Sequence, residues 1–136
     1  DVLGSRGLGD VYKRQIIAIG KGIRTRTNEI YRKFIQLVVE HYTTEHSVSF
    51  YAAQLNLSLP HFCTTIKKAI GLTPLEIISS IITMDAKAQL RSTDLTVKEI
   101  AFSLGFNNLS FFNKYFRQHT GMTPQEYRRM KIPSST

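Results

Sequence analysis

The chain is 136 residues long and 42% hydrophobic, with a formal net charge of +8 and a pI near 9.8. That length supports one ordinary core, or two very small subdomains sharing an element, and no apolar run approaches the roughly 20 residues that a membrane span needs. The start has neither an uninterrupted apolar h-region nor a small-residue cleavage site, so a cytoplasmic protein with no membrane partner is expected.

Residues 1–27 hold six Lys/Arg against two Asp/Glu, so half of the positive excess lies there and +4 remains on residues 28–136. The total invites a polyanionic partner, but its distribution makes charge alone a weak argument. "DVLGSRGLGDVYKRQ" has no sustained period and no relation to the rest of the chain. With the apolar-then-basic stretch after it, residues 1–27 read as a tail, an assembly scar and a linker remnant, leaving 28–136 as the folded domain. From Asn28, "NEIYRKFIQLVVEHY" places Ile30, Phe34, Leu37, Val38 and Tyr42 on one helical face, with Asn28 as a possible N-cap.

A repeat begins at Ser47. Val48, Ala52, Leu55 and Leu57 meet Val97, Ala101, Leu104 and Phe106 at an offset of 49; Phe62, Ile66, Lys67, Gly71, Thr73 and Pro74 meet Phe112, Phe116, Arg117, Gly121, Thr123 and Pro124 at 50. The second copy has gained one residue in its turn. Each copy reads as short helix, tight turn, second helix, giving units at about 47–72 and 96–121. Thr96 with Glu99 forms a capping box, Gly105 is the residue that can take positive φ, and Asn107 or Asn108 caps the next helix. "TPLE" (73–76) opens a long linking helix to about 91, and "TPQE" (123–126) opens a closing helix at about 124–131, with Thr as N-cap, Pro at N1 and Glu at N3.

In the second unit Phe112 and Phe116 form an i, i+4 pair that presses its second helix onto its first, and Lys114 lies about 200° round the helix from Phe112. Ser110, Arg117 and Gln118 share that outer half. A helix anchored by aromatics and presenting Ser, Lys, Arg and Gln outward suits major-groove reading, where donors must reach base edges and phosphates together. Phe112 and Phe116 read as packing residues, whereas the more outward Phe111 is balanced between packing and base stacking.

"SVSFYAAQLNLSLPHFCTTIKKAIGLTPLEII" and "VKEIAFSLGFNNLSFFNKYFRQHTGMTPQEYR" together resemble the DNA-binding domain of AraC/XylS-type bacterial transcription regulators over about residues 47–129. The resemblance implies an all-α fold in which two homeodomain-like helix-turn-helix units are joined by a long helix, each second helix entering a major groove of double-stranded DNA. It also implies RNA polymerase, or a separate sensor or oligomerisation domain, as partner of the full-length protein. Thr64 stands where the family's first reading helix often carries Arg, Lys114 at the equivalent position of the second, and Ile82 and Thr83 where the linking helix often carries Arg-Leu. These departures imply unequal reading by the two units.

The base-contact candidates are Pro60, His61, Thr64 and Lys68 in the first unit, with Leu109, Ser110, Asn113 and Lys114 in the second. Leu109 is included for its place at the helix tip, matching a base-contacting family position. Lys67 and its repeat partner Arg117 are assigned to phosphate.

Other chemistry finds no pattern. His61 and Cys63 are two apart and do not face one another, His41 and His46 lack a ligand cluster, and Ser110, His119 and Glu126 make no triad. No Gly-rich phosphate loop exists, so no cofactor, metal or enzymatic activity is expected. The lone Cys63 cannot form an internal disulfide, in keeping with a reducing compartment, and reads as filler on the flank of the core. The rival reading is a helical protein-interaction module that keeps the fold without specific DNA reading; a small hydrolase is remote.

Overall fold

The computed structural model describes residues 26–130; the expectations for residues 1–25 and 131–136 lie outside it. The described residues form α1 (Arg26–His41), α2 (Val48–Gln54), α3 (Leu59–Ile70), α4 (Pro74–Ser92), α5 (Val97–Ser103), α6 (Leu109–Thr120) and α7 (Pro124–Arg129), with no strand among them. No single helix among them is long and apolar enough to cross a membrane.

The caps match the sequence closely. Thr73, Thr96 and Thr123 each make a reciprocal capping box with the Glu three residues on, and Asn108 is the residue that caps α6. Asn28 is not a cap. α1 starts two residues earlier, so Asn28 falls in its first turn and is buried, with Glu29 beside it where the helix dipole favours an acid. The apolar stripe marks the buried face rather than the helix end. That face is also broader than the stripe: Tyr31 and Ile35 are fully buried, while Leu37 is only partly covered.

α1 serves as the third helix of the first unit. Phe34 meets Tyr51 and Phe62 edge-on at centroid distances of 5.7 and 5.0 Å, a favourable geometry for opposed ring quadrupoles. α7 does the same for the second unit, with Tyr127 edge-on to Phe116 at 5.8 Å. α4 separates them. It buries Ile77, Ile78, Ile81, Ile82, Ala86 and Leu90 because neighbours cover it on several sides. α3 and α4 meet at a 70° bend.

The polar groups buried on α4 have partners. Tyr42 donates to Asp85 Oδ2 at 2.6 Å, Gln89 Nε2 donates to Asp85 Oδ1 at 3.0 Å and Ser103 Oγ at 3.2 Å, and Thr83 donates to the Ser79 carbonyl at 2.8 Å. This network ties the residue just past α1 to α4 and α5, and such networks cost stability when broken because the remaining groups stay buried. Ile82 and Thr83 lie in the core, so the departure from Arg-Leu is absorbed by packing.

Candidate nucleic-acid interface

α3 and α6 are built alike. Ser58 accepts from the His61 amide at 3.3 Å and Asn108 from the Phe111 amide at 2.9 Å; both helices end on a left-handed glycine, Gly71 (φ 78°) and Gly121 (φ 82°). Each pins one face into the core, through Phe62 and Ile66 in α3 and Phe112 and Phe116 in α6. The opposite faces are therefore fixed in direction by packing, not by the residues that occupy them.

On α3, Pro60, His61, Thr64, Lys67 and Lys68 are all exposed, and Cys63 is half-buried on the flank. On α6, Ser110, Lys114 and Arg117 are exposed with Gln118 and His119. Leu109 and Asn113 are turned toward α5 and α7: they line a shallow cleft with Val97, Gln125 and Arg129, Asn113 being half-buried. Phe111 is 57% exposed, yet its ring leans on Phe106 and Tyr115 at 5.9 and 6.5 Å. Packing thus already holds the inner side of that ring.

Two arginines at the end of α7 play different parts. Arg128 donates from Nε, Nη1 and Nη2 to the carbonyls of Leu90, Leu95 and Thr93 at 3.0, 2.6 and 3.1 Å, so it fastens the α4–α5 loop. Arg129 is exposed at the cleft that Leu109 and Asn113 line. Sequence alone does not single out Arg129, because adjacent arginines in a last helical turn suit the dipole equally well; only the fold distinguishes them.

The repeat extends to electrostatics. Glu76 is held below the usual carboxylate range by the Thr73 backbone and side-chain hydrogen bonds and by the charge of Lys67. Glu126 is lowered in the same way by Thr123, then by Arg117 and Arg129. Each cation assigned to phosphate therefore has an acidic neighbour on the following helix, which partly neutralises it. The described residues contain no group of three or more His, Cys, Asp or Glu able to hold a metal.

A family model described as a helix-turn-helix domain matches residues 51–130. Among curated relatives, the HTH-type transcriptional activator RhaS of Klebsiella pneumoniae is 32% identical over 90 residues, covering 66% of this chain and 32% of that protein. The melibiose operon regulatory protein of Escherichia coli is 25% identical over 121 residues, covering 84% and 40%. The chain thus spans about two-fifths or less of these relatives' length. Among solved structures, the C-terminal domain of AraT, a response regulator from Geobacillus stearothermophilus, matches with a TM-score of 0.71 at 27% identity, covering 82% of this chain and 93% of that one. The DNA-binding domain of AdpA, a global transcriptional factor solved in complex with a target DNA, matches with a TM-score of 0.62 at 25% identity, covering 70% and 86%.

Proposed function

Because the chain belongs to the AraC-type helix-turn-helix family, a family of transcription regulators and not of enzymes, we propose that it is the sequence-specific DNA-binding domain of a transcription regulator, with α3 and α6 reading successive major grooves of one duplex. The observation that carries this is the duplicated reading helix: two copies of one exposed, polar and basic face on a continuous core. The linking helix α4 has 19 residues, hence a length of about 28 Å at 1.5 Å per residue. Major grooves on one face of DNA recur at about 34 to 36 Å, and tilt of the reading helices or modest bending of the duplex covers the difference. The units are tandem, so the site is bipartite and non-palindromic, with its parts roughly 10 base pairs apart.

Lys114 and Ser110 are the principal base readers of the second half-site, with Leu109 and Asn113 at its edge. Pro60, His61, Thr64 and Lys68 serve the first. Lys67 and Arg117 contact phosphate, and Arg129 joins them. The AdpA domain was solved on a target DNA, which supports double-stranded DNA as partner. RNA polymerase, or a sensor or oligomerisation domain, is the further partner proposed for the full-length protein.

Selecting bound duplexes from a random library and sequencing them tests this. Enrichment of a two-part motif is expected. Absence of any enriched motif sinks specific reading and favours the protein-interaction module, for which the short Thr64 on α3 is the supporting observation.

A further inference from the structure

We propose that the segment between α1 and α2 is a clamp between the two units, and that His46 is its positioning residue, fixing how far apart and at what rotation α3 and α6 are held. By sequence this segment belongs to the first unit, yet it seats on the second. The His46 Nε2 lies 2.7 Å from the Leu104 carbonyl; a carbonyl only accepts, so Nε2–H donates. Its ring lies 4.5 Å from that of Phe106 and 6.5 Å from that of Tyr115, and Tyr115 in turn donates to Ser79 Oγ of α4 at 3.2 Å. Gly105, in the turn of the second unit at φ 87°, has no room for a side chain: a Cβ would collide with the Thr43 carbonyl oxygen and come within 3.1 Å of His46 Nε2. The other end of the segment is tied down by the buried bond from Tyr42 to Asp85.

Helices of opposite units do not pack extensively on one another; what the units share is α4 and this segment. A 19-residue helix is itself a stiff rod, but each unit can rock where it packs on that rod, so a second connection closes the frame. The consequence for DNA rests on the function proposed above. One base pair shifts a half-site by about 3.4 Å and turns it by about a tenth of a revolution, and a rigid frame should notice both.

The first measurement uses no DNA. With Cys63→Ser, nitroxide labels at exposed Ala53 and Lys98 report the distance between units by pulsed electron resonance. A narrow distribution is expected, broadened by His46→Ala and narrowed again by His46→Gln, whose amide can donate to Leu104. The second measures binding to the selected duplex with one base pair added or removed between its parts. The parent should lose about 10-fold or more in affinity, whereas His46→Ala should vary by less than about 3-fold, with single half-sites bound equally by both. Should His46→Ala fail to fold, His46→Phe, which keeps a ring against Phe106 and loses the hydrogen bond, carries the same expectations. Unchanged label distances, or a spacing profile as steep as the parent's, overturn the clamp. A parent that binds no duplex overturns the DNA reading and the spacing role with it, while the label distances still decide whether the segment holds the units.

Discussion

The two helix-turn-helix units solve one steric problem in two ways. In the first, the backbone passes through the left-handed region at Asn56 (φ 57°); in the second it does so at the equivalent Gly105 (φ 87°). Asn tolerates that conformation with local help from its side chain, and Asn56 is exposed. Gly105 is pressed against the Thr43 carbonyl, so there even a methyl group is excluded. The helix C-termini make the same point from the other side: Gly71 and Gly121 have φ values close to that of Gly105 but open space around them. A repeated glycine thus means backbone conformation at three positions and close approach at only one.

The largest effects should come from the buried aromatics that anchor α3 and α6. Phe62→Ala and Phe116→Ala each remove a fully buried ring, at a cost of about 3 to 5 kcal/mol. The buried apolar cluster runs without interruption from α1 to Tyr127 of α7, so either substitution should lower the midpoint of one urea transition monitored by helicity. Two resolved transitions would show that the units unfold separately. A fully folded Phe116→Ala variant that has lost only DNA binding would move that ring from packing to base stacking.

The glycines rank next. Gly71→Ala and Gly121→Ala incur the strain of a left-handed alanine alone, about 1 to 2 kcal/mol. Gly105→Ala meets the same strain and a collision with backbone, so its loss should exceed either, measured by the same urea titration. Equal losses at all three would mean that the Thr43 carbonyl moves aside freely, and the close contact between the units would then have no rigidity.

The repeat explains why so much of this is legible in the chain. Spacing of apolar residues, three Thr-Pro or Thr-x-x-Glu starts and the glycine stops are local signals, and α2 through α7 obey them closely. What stays hidden is tertiary. Tyr31 and Ile35 look lateral on α1 until neighbours are known to cover that side, Asn28 imitates a cap, and nothing local marks Asp85 and Gln89 as a buried network. At the interface the exposed residues of α3 and α6 are readable from helical angle. Arg128 and Arg129 are not, because their difference depends on the carbonyls of Leu90 at the end of α4 and of Thr93 and Leu95 in the loop after it.

On the proposed duplex the difference between the units moves from turns to the residues proposed to read bases. Lys114 can reach guanine acceptors, a contact worth on the order of 1 to 3 kcal/mol of discrimination, while Thr64 is short and offers a methyl group or one weak hydrogen bond. Lys114→Ala should therefore blur one half-site of the selected motif more than Thr64→Ala blurs the other. Equal or reversed loss would make α3 the dominant reader. Arg117→Ala should weaken all sequences alike and reduce the salt slope of log K by about one unit.

The smallest effect separates the helix starts by how they are capped. α2 and α3 begin on Ser47 and Ser58 with no acid in their first turns, whereas α4 and α7 begin on Thr–Glu capping boxes. Glu126 is lowered from its ordinary range, first by the Thr123 hydrogen bonds and then by Arg117 and Arg129. A carboxylate whose folded pKa lies below its unfolded value, about 4.3 for Glu, adds stability that is complete above the unfolded value and lost as pH falls through the folded one. Acid should thus fray the start of α7 while leaving the start of α6 unaffected, since α6 is capped by Asn108 through the Phe111 amide and has no ionisable group in its first turn; the difference is seen as a larger fall in amide protection at Glu126 than at Phe111. Glu126→Gln keeps a side chain that can complete the box but cannot titrate. Its exchange at residue 126 should be faster than the parent's at neutral pH and should converge with the parent's in acid, because protonation removes the one property in which the two differ. Parallel curves that never converge would assign the start of α7 to packing of Pro124 and Tyr127, both buried, and leave the charge of Glu126 without a part in it.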